Sequence, residues 1–185
     1  MSGPRILLIT GPAGVGKSTL SWALGDRLAA LGIAHAAIET DELDRVFPKP
    51  APDALDLMVP GTRDVSAINL AALWSTYRAL GHDKLILSGV MLHLAADLDW
   101  IGAAIPGGAI TVITLKANVA TLTERLDRRE TGPGRSAQIE RTLRQARRLA
   151  GEAAGTRLVI ETDGRAPAAV ADEVLARVPW LTAAR

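Results

Sequence analysis

The feature that most constrains the fold is a glycine-rich octapeptide between an aliphatic run and an amphipathic segment. Residues 11–18 read Gly-Pro-Ala-Gly-Val-Gly-Lys-Ser and match the pattern G-x-x-x-x-G-K-[ST] at every defined position. Residues 5–10 are almost wholly aliphatic, which is typical of a strand buried on both faces. Leucines recur at helical spacing through residues 17–31. Strand, turn and helix together predict a P-loop, whose backbone N–H groups gather around the phosphates of a nucleotide.

The residue types in this loop suit ATP. Glycines let backbone N–H groups approach phosphate oxygens without Cβ obstruction. We expect Lys17 to reach the β and γ phosphates and the Ser18 hydroxyl to ligate Mg²⁺. An ordinary glycine-rich turn is the alternative, and the complete match in the correct context argues against it. The predicted nucleotide-binding residues here are Gly11, Pro12, Ala13, Gly14, Val15, Gly16, Lys17, Ser18 and Thr19.

Apolar runs alternate with helical patterns along the rest of the chain, which is typical of an α/β fold with a parallel sheet. Later strands are predicted at 34–38, 84–88, 109–115 and 157–161. A helix at 65–80 is expected to face the core with Ile68, Leu73 and Leu80, and its Trp74 and Tyr77 either pack in the core or contact an acceptor. The proline-rich stretch 47–61 is predicted to be irregular.

Length and composition exclude several classes of protein. The 185 residues suit one domain, predicted to span 1–185, and the net charge of +1 gives no strong field for nucleic acid or membrane. There is no cysteine for disulfide or thiolate chemistry, and no apolar stretch reaches the roughly 18 residues of a membrane span. The N-terminal apolar run is too short for a signal peptide. We therefore expect a cytoplasmic monomer or homodimer that binds neither nucleic acid nor membrane.

A P-loop alone does not define a reaction. GTPases carry an Asn-Lys-x-Asp motif after the fourth strand, and residues 115–118 here read Leu-Lys-Ala-Asn instead. Motor ATPases usually end a strand in a Walker B acid, whereas the third predicted strand has Ser88 there. Three segments remain that bear on the reaction. They are Asp41 after the second strand, the run Arg-Leu-Asp-Arg-Arg at 125–129 and the run Val-Ile-Glu-Thr-Asp-Gly-Arg at 159–165.

With these segments the sequence resembles the small P-loop kinases, which include nucleoside monophosphate kinases, gluconate kinase, adenylylsulfate kinase and chloramphenicol phosphotransferase. The resemblance implies a three-layer α/β fold with five parallel strands in the order 2-3-1-4-5 and helices on both faces. It also implies a substrate-binding insert at about 42–64 and a short lid at about 128–138. ATP would bind at the carboxyl ends of the strands, as in open α/β sheets generally.

The resemblance assigns roles to several of these residues. Asp41 would act as general base on the acceptor hydroxyl or ligate Mg²⁺ through water, and the alternative is a helix N-cap with Asp44 as its partner. Arg125 and Asp163 would border the adenine, while Arg129 or Arg128 would face the phosphates. The predicted catalytic residues are Lys17, Asp41, Arg125 and Arg129, and the predicted metal ligands are Ser18 and Asp41. Glu39 is a further acidic candidate. Arginines 141, 144, 147 and 148 are expected to form a solvated helix face.

The acceptor side of the site has few cations. The turn at 89–96 contains neither Arg nor Lys, so we expect a neutral or weakly charged acceptor, a metabolite or an antibiotic. The candidate acceptor-binding residues are Asp44, Arg45, Arg63, His93 and Arg135, although His93 is alternatively a surface residue. The predicted function is ATP-dependent phosphoryl transfer to a hydroxyl of a small molecule. The alternatives are a nucleoside or nucleotide kinase and a nucleotide-binding regulatory ATPase without a small acceptor.

Overall fold

A five-stranded parallel sheet forms the centre of the structure, a computed structural model that describes residues 3–129, 135–151 and 157–183. The strands are β1 (Arg5–Thr10), β2 (Ala36–Glu39), β3 (Lys84–Gly89), β4 (Ala109–Lys116) and β5 (Leu158–Glu161). Every pairing is parallel, and the order is β2-β3-β1-β4-β5. The predicted fold class and strand order are therefore confirmed.

Helices cover both faces of this sheet. They are α1 (Lys17–Ala30), α2 (Pro52–Met58), α3 (Val65–Ala79), α4 (Leu94–Ala104), α5 (Val119–Arg129), α6 (Arg135–Gly151) and α7 (Pro167–Arg177). Side chains of β1 alternate between two apolar cores, as the period of a strand requires. Leu7 and Ile9 pack with α1, α5 and α7, whereas Ile6 and Leu8 pack with α3 and α4. The two cores hold the carboxyl end of β1 at the middle of the molecule.

The inward face of α3 differs from the prediction. Leu73 and Leu80 are exposed and Ile68 is only partly buried. The buried stripe consists instead of Ser66, Leu70 and Trp74, which recur at intervals of four residues. The prediction was wrong because Leu73 lies one position off this stripe and Leu80 lies beyond the end of the helix. Trp74 is buried in the core, which was one of the two interpretations offered for it, the other being contact with an acceptor.

The proline-rich stretch is more regular than predicted, since it contains α2. This helix begins at Pro52. Proline is favourable there, because the N–H that it lacks would have no acceptor within the first turn of a helix. Its Leu55 is buried and fixes it to the protein. The predicted lid at 128–138 falls partly on residues 130–134, which lie outside the described residues. No helix in the described part of the chain has the length and apolar composition that a membrane crossing requires.

Candidate active site

The P-loop connects the carboxyl end of the central strand β1 to the first turn of α1. Gly11, Gly14 and Gly16 all have positive φ, with values of 148°, 74° and 103°. A Cβ on Gly11 would lie 2.7 Å from the carbonyl oxygen of Leu115 on β4, so a larger residue does not fit there. Ala13 to Thr19 line a cleft of about 840 Å³ that opens at this edge of the sheet. The predicted nucleotide-binding loop thus borders a cleft large enough for a nucleotide.

Lys17 lies in this cleft among groups of both signs. Its Nζ donates a hydrogen bond of 3.0 Å to the carbonyl oxygen of Pro12. Burial lowers the pKa of Lys17 from 10.5 to about 8, opposed by the negative charges of Asp41 and Glu39 and reinforced by the positive charge of Arg129. The charges of two carboxylates and one guanidinium therefore influence the pKa of the ammonium that is expected to contact phosphates.

Glu39 is brought to the P-loop by the register of the sheet. It ends β2 and lies opposite Ser88 of β3, which in turn lies opposite Ile9 of β1. The hydroxyl of Ser18 donates a hydrogen bond of 2.9 Å to Oε2 of Glu39. Ser88 also lines the cleft, and its buried hydroxyl has no hydrogen-bond partner among the described residues. A carboxylate from the end of β2 thus reaches the P-loop serine.

Asp41 lines the same cleft from a 3-10 turn at Thr40–Glu42. This turn packs directly on the end of β3, because a Cβ on Gly89 would lie 1.9 Å from Oγ1 of Thr40. The N-cap alternative for Asp41 is not supported, since Glu39 occupies the N-cap position of that turn. Asp41 is exposed to the cleft, where its carboxylate can approach a bound acceptor.

Arg125 joins the P-loop to the segment after β5. Its guanidinium donates to the carbonyl oxygen of Val15 at 3.1 Å, to Oγ1 of Thr162 at 3.1 Å and to the Thr162 carbonyl oxygen at 2.8 Å. These bonds fix the wall on which the adenine was predicted to lie. Arg129 lines the cleft as well, whereas Arg128 is exposed and paired with Glu124. Of the two arginines proposed to face the phosphates, the structure brings Arg129 to the cleft.

Asp163 holds a turn, and it lies outside the cleft lining. Its carboxylate accepts the backbone N–H of Asn118 at 3.0 and 3.1 Å. Hydrogen bonds from the Thr121 side chain and from Asn118 keep the pKa of Asp163 below its usual value. The cleft is lined instead by its neighbours Thr162 and Arg165. The adenine-bordering role of Asp163 stays a prediction.

Helix α6 contributes a polar face that the sequence analysis missed. Gln138, Arg141 and Gln145 all line the cleft, and their spacing places them on one side of the helix. Oε1 of Gln145 accepts a hydrogen bond of 3.2 Å from the backbone N–H of Ala13 in the P-loop. Arg141 is exposed, as expected for the solvated face of this helix, and it also lines the cleft. Arg135 begins α6, and its side chain lies outside the described residues.

The other candidate acceptor residues lie outside the cleft lining. Three of them form ion pairs on the surface, and these pairs are Arg45–Glu42 at 2.9 Å, Lys49–Asp44 at 2.6 Å and Arg63–Asp53 at 3.2 Å. His93 precedes α4, where its backbone N–H donates to Asp97 and its ring lies 2.8 Å from the Arg148 guanidinium. Their roles in acceptor binding remain predictions that the cleft geometry alone does not support.

The fold of this chain is shared by several solved structures, although no protein-family model and no curated protein matches the sequence. A gluconokinase from Sinorhizobium meliloti 1021 is 22% identical over 98% of this chain and 95% of its own, with a TM-score of 0.59. The tunicamycin resistance protein of Deinococcus radiodurans is 22% identical over 95% of each chain, with a TM-score of 0.60. An APS kinase from Mycobacterium tuberculosis is 19% identical over 97% of this chain and 99% of its own, with a TM-score of 0.55. The chain therefore has the fold of the small P-loop kinases that its sequence resembles.

Proposed function

We propose that the protein is an ATP-dependent phosphotransferase that moves the γ-phosphoryl group of ATP·Mg to a hydroxyl of a small molecule. One observation carries the proposal: a single cleft at the carboxyl edge of the sheet is lined by Lys17, Glu39, Asp41 and Arg129. Phosphoryl transfer needs cations around the phosphates and a carboxylate beside the attacking hydroxyl, and this cleft offers both. The fold shared with a gluconokinase and an APS kinase supports the same reaction class.

In this proposal the triphosphate lies on the P-loop, within reach of the Lys17 ammonium and the Arg129 guanidinium. Helix α1 directs its N-terminus at the same place and adds partial positive charge. The adenine lies beside Arg125 and Thr162, whose mutual hydrogen bonds hold that wall in place. Positioning and charge neutralisation are the main contributions that a protein makes to this reaction.

The oxygen-bearing side chains beside the P-loop, those of Ser18, Glu39 and Asp41, fit Mg²⁺. This ion prefers oxygen ligands and takes one or two from the protein, the rest coming from phosphates and water. Ser18 and Glu39, joined at 2.9 Å, would hold it with Asp41 nearby. When bound, Mg²⁺ would neutralise charge that develops on the phosphate oxygens.

Asp41 would orient the acceptor hydroxyl and accept its proton. A bond forms between the acceptor oxygen and the γ-phosphorus while the bond from that phosphorus to the β,γ-bridging oxygen breaks. The electron pair of the broken bond stays with ADP, and the proton is held on the Asp41 carboxylate until the products leave.

We also propose that the protein acts in the cytoplasm as a monomer or homodimer. We propose no nucleic acid partner, because a net charge of +1 gives no strong attraction to a polyanion.

The proposal is tested by measuring ADP release with a panel of hydroxylated metabolites, nucleosides, nucleotides and antibiotics. At least one acceptor should stimulate ADP release, and Lys17→Ala should abolish the stimulation. Lys116→Ala is the matched control, because Lys116 is an exposed lysine outside the cleft lining. Slow ADP release that no acceptor changes would contradict the proposal and would favour a regulatory ATPase.

A further inference from the structure

The peptide group between Pro12 and Ala13 lies in the first half of the P-loop, and side chains contact both of its ends. Its carbonyl oxygen accepts a hydrogen bond of 3.0 Å from Nζ of Lys17. Its N–H donates a hydrogen bond of 3.2 Å to Oε1 of Gln145. The peptide bond is trans, so its carbonyl and its N–H point in opposite directions. The protein itself therefore satisfies both ends of this peptide group.

Gln145 reaches the P-loop from an anchored part of α6. Leu149, one turn after Gln145, is buried, and so is Thr142, three residues before it. Ala146 packs against the apolar core that contains Leu7 and Ile9 of β1. The helix is therefore fixed at this point, and the carboxamide of Gln145 can leave the loop by rotation of its side chain while α6 stays in place.

The N–H that donates to Gln145 belongs to the set of groups that a bound nucleotide needs. Backbone N–H groups of a P-loop converge on phosphate oxygens, and Ala13 lines the cleft together with Lys17 and Arg141. Arg141 precedes Gln145 by one helical turn on the same face of α6. An anion at this N–H would have two cations in the same cleft. A hydrogen bond to a charged oxygen is also about twice as strong as one to a neutral oxygen.

We infer that Gln145 competes with phosphate for the N–H of Ala13. In the nucleotide-free protein its carboxamide oxygen occupies the place of a phosphate oxygen, and it leaves that place when a triphosphate binds. The inference rests on the proposed function, since it takes the P-loop to hold a triphosphate. It assigns to Gln145 a part in setting phosphate affinity, because binding must first break this hydrogen bond and its return favours release of the product.

Binding of inorganic tripolyphosphate, with Mg²⁺ present at pH 7, tests the competition without a base, an acceptor or phosphoryl transfer. Gln145→Leu keeps most of the side-chain volume and removes the oxygen. This variant should bind tripolyphosphate about threefold to tenfold more tightly in calorimetry, which corresponds to the loss of one competing neutral hydrogen bond. Gln145→Glu should bind it at least about tenfold more weakly, since a carboxylate holds the N–H more strongly and repels the anion.

Gln138→Leu is the matched control. Gln138 has the same side chain, lines the same cleft and lies seven residues earlier on the same face of α6, but the hydrogen bond with Ala13 is made by Gln145. Gln138→Leu should therefore bind tripolyphosphate no more tightly than the unchanged protein. Equal tightening in Gln138→Leu and Gln145→Leu would assign the effect to a more apolar face of α6 and would overturn the inference.

The backbone amide of Ala13 provides a second measurement, which stands even if a variant at Gln145 fails to fold. In NMR spectra of the unchanged protein, tripolyphosphate should move the Ala13 amide proton downfield, because hydrogen bonds to charged oxygens are shorter. The side-chain amide signals of Gln145 should shift over the same range of tripolyphosphate concentration, since its oxygen loses the bond to Ala13.

A tripolyphosphate affinity that Gln145→Leu leaves unchanged or lowers would overturn the inference. So would an Ala13 amide proton that does not move while tripolyphosphate binds, or a protein that binds no tripolyphosphate at all. None of these results decides the proposed function, which fails if no acceptor stimulates ADP release.

Discussion

Nucleotide affinity should fall as the pH rises through the pKa of Lys17. Burial sets that pKa to about 8, so about nine-tenths of the free protein carries the charged ammonium at pH 7 and about one-tenth at pH 9. Bound phosphates place negative charge beside the ammonium and raise its pKa again, so the complex keeps the proton over this range. Because the complex holds a proton that the free protein loses, the dissociation constant for ADP should rise about tenfold from pH 7 to pH 9.

Isothermal titration calorimetry measures both the affinity and the proton. Titrations at pH 8 in two buffers with different ionisation enthalpies should show that about half a proton is taken up per ADP bound. Lys17→Arg is the control, because a guanidinium stays charged throughout this range. The Lys17→Arg variant retains every other titrating group, including the α-amino group, so its affinity for ADP should vary far less with pH.

An ADP affinity that is constant from pH 7 to pH 9, with no proton uptake at pH 8, would exclude this coupling between Lys17 protonation and ADP binding. It would mean that the Lys17 ammonium is not buried in the free protein, or that it does not contact the phosphates. The same pH dependence in Lys17→Arg would assign the proton to another group.

Three further variants test the roles of single residues. Asp41→Asn should lower phosphoryl transfer about 10²-fold in rapid-quench kinetics while leaving ADP affinity unchanged, because only proton transfer is affected. Glu39→Gln should raise the Mg²⁺ concentration needed for half-maximal rate about tenfold, since a neutral amide holds the ion and its water less well. Arg125→Lys cannot bridge Val15 and Thr162 simultaneously, so it should weaken ADP binding and lower the melting temperature by several degrees in a thermal shift assay.

Each of these variants has a matched control, which is the same substitution at a residue of the same type outside the site. Asp26→Asn, Glu161→Gln and Arg128→Lys should all behave like the unchanged protein, since Asp26 and Glu161 are exposed outside the cleft lining and Arg128 is held in a surface ion pair. Unchanged transfer in Asp41→Asn, an unchanged Mg²⁺ requirement in Glu39→Gln, or an unchanged melting temperature in Arg125→Lys would remove the corresponding assignment.

The nucleotide half of the site could be predicted because its signals are local. The aliphatic run, the glycines and Lys17 are adjacent in the chain, and the positive φ of Gly11, Gly14 and Gly16 favours glycine at those positions. The hydrogen bond between Ser18 and Glu39 had no such signal, since it depends on how β2 pairs with β3 and on where one side chain points. A strand's last residue gives no indication of which neighbour it will contact.

The helices α6 and α3 were the least predictable. In α6 the residues that line the cleft, Gln138, Arg141 and Gln145, have the polar side chains of a solvated face, so nothing in the sequence marked them as part of the site. In α3 apolar residues occur on several sides of the helix, so the sequence did not show that the stripe through Leu70 is the buried one. The ion pair between Arg63 and Asp53 depends on the position of α2. This helix was not predicted, because the prolines around it indicated an irregular segment.

Phosphorus NMR of the reaction products shows directly whether the γ-phosphoryl group is transferred to a hydroxyl. We expect a new phosphate monoester resonance that appears only with an acceptor, grows in equal amount with ADP and is lost in Lys17→Ala. Accumulation of inorganic phosphate in equal amount with ADP, whatever acceptor is present, would show that the group is transferred to water instead.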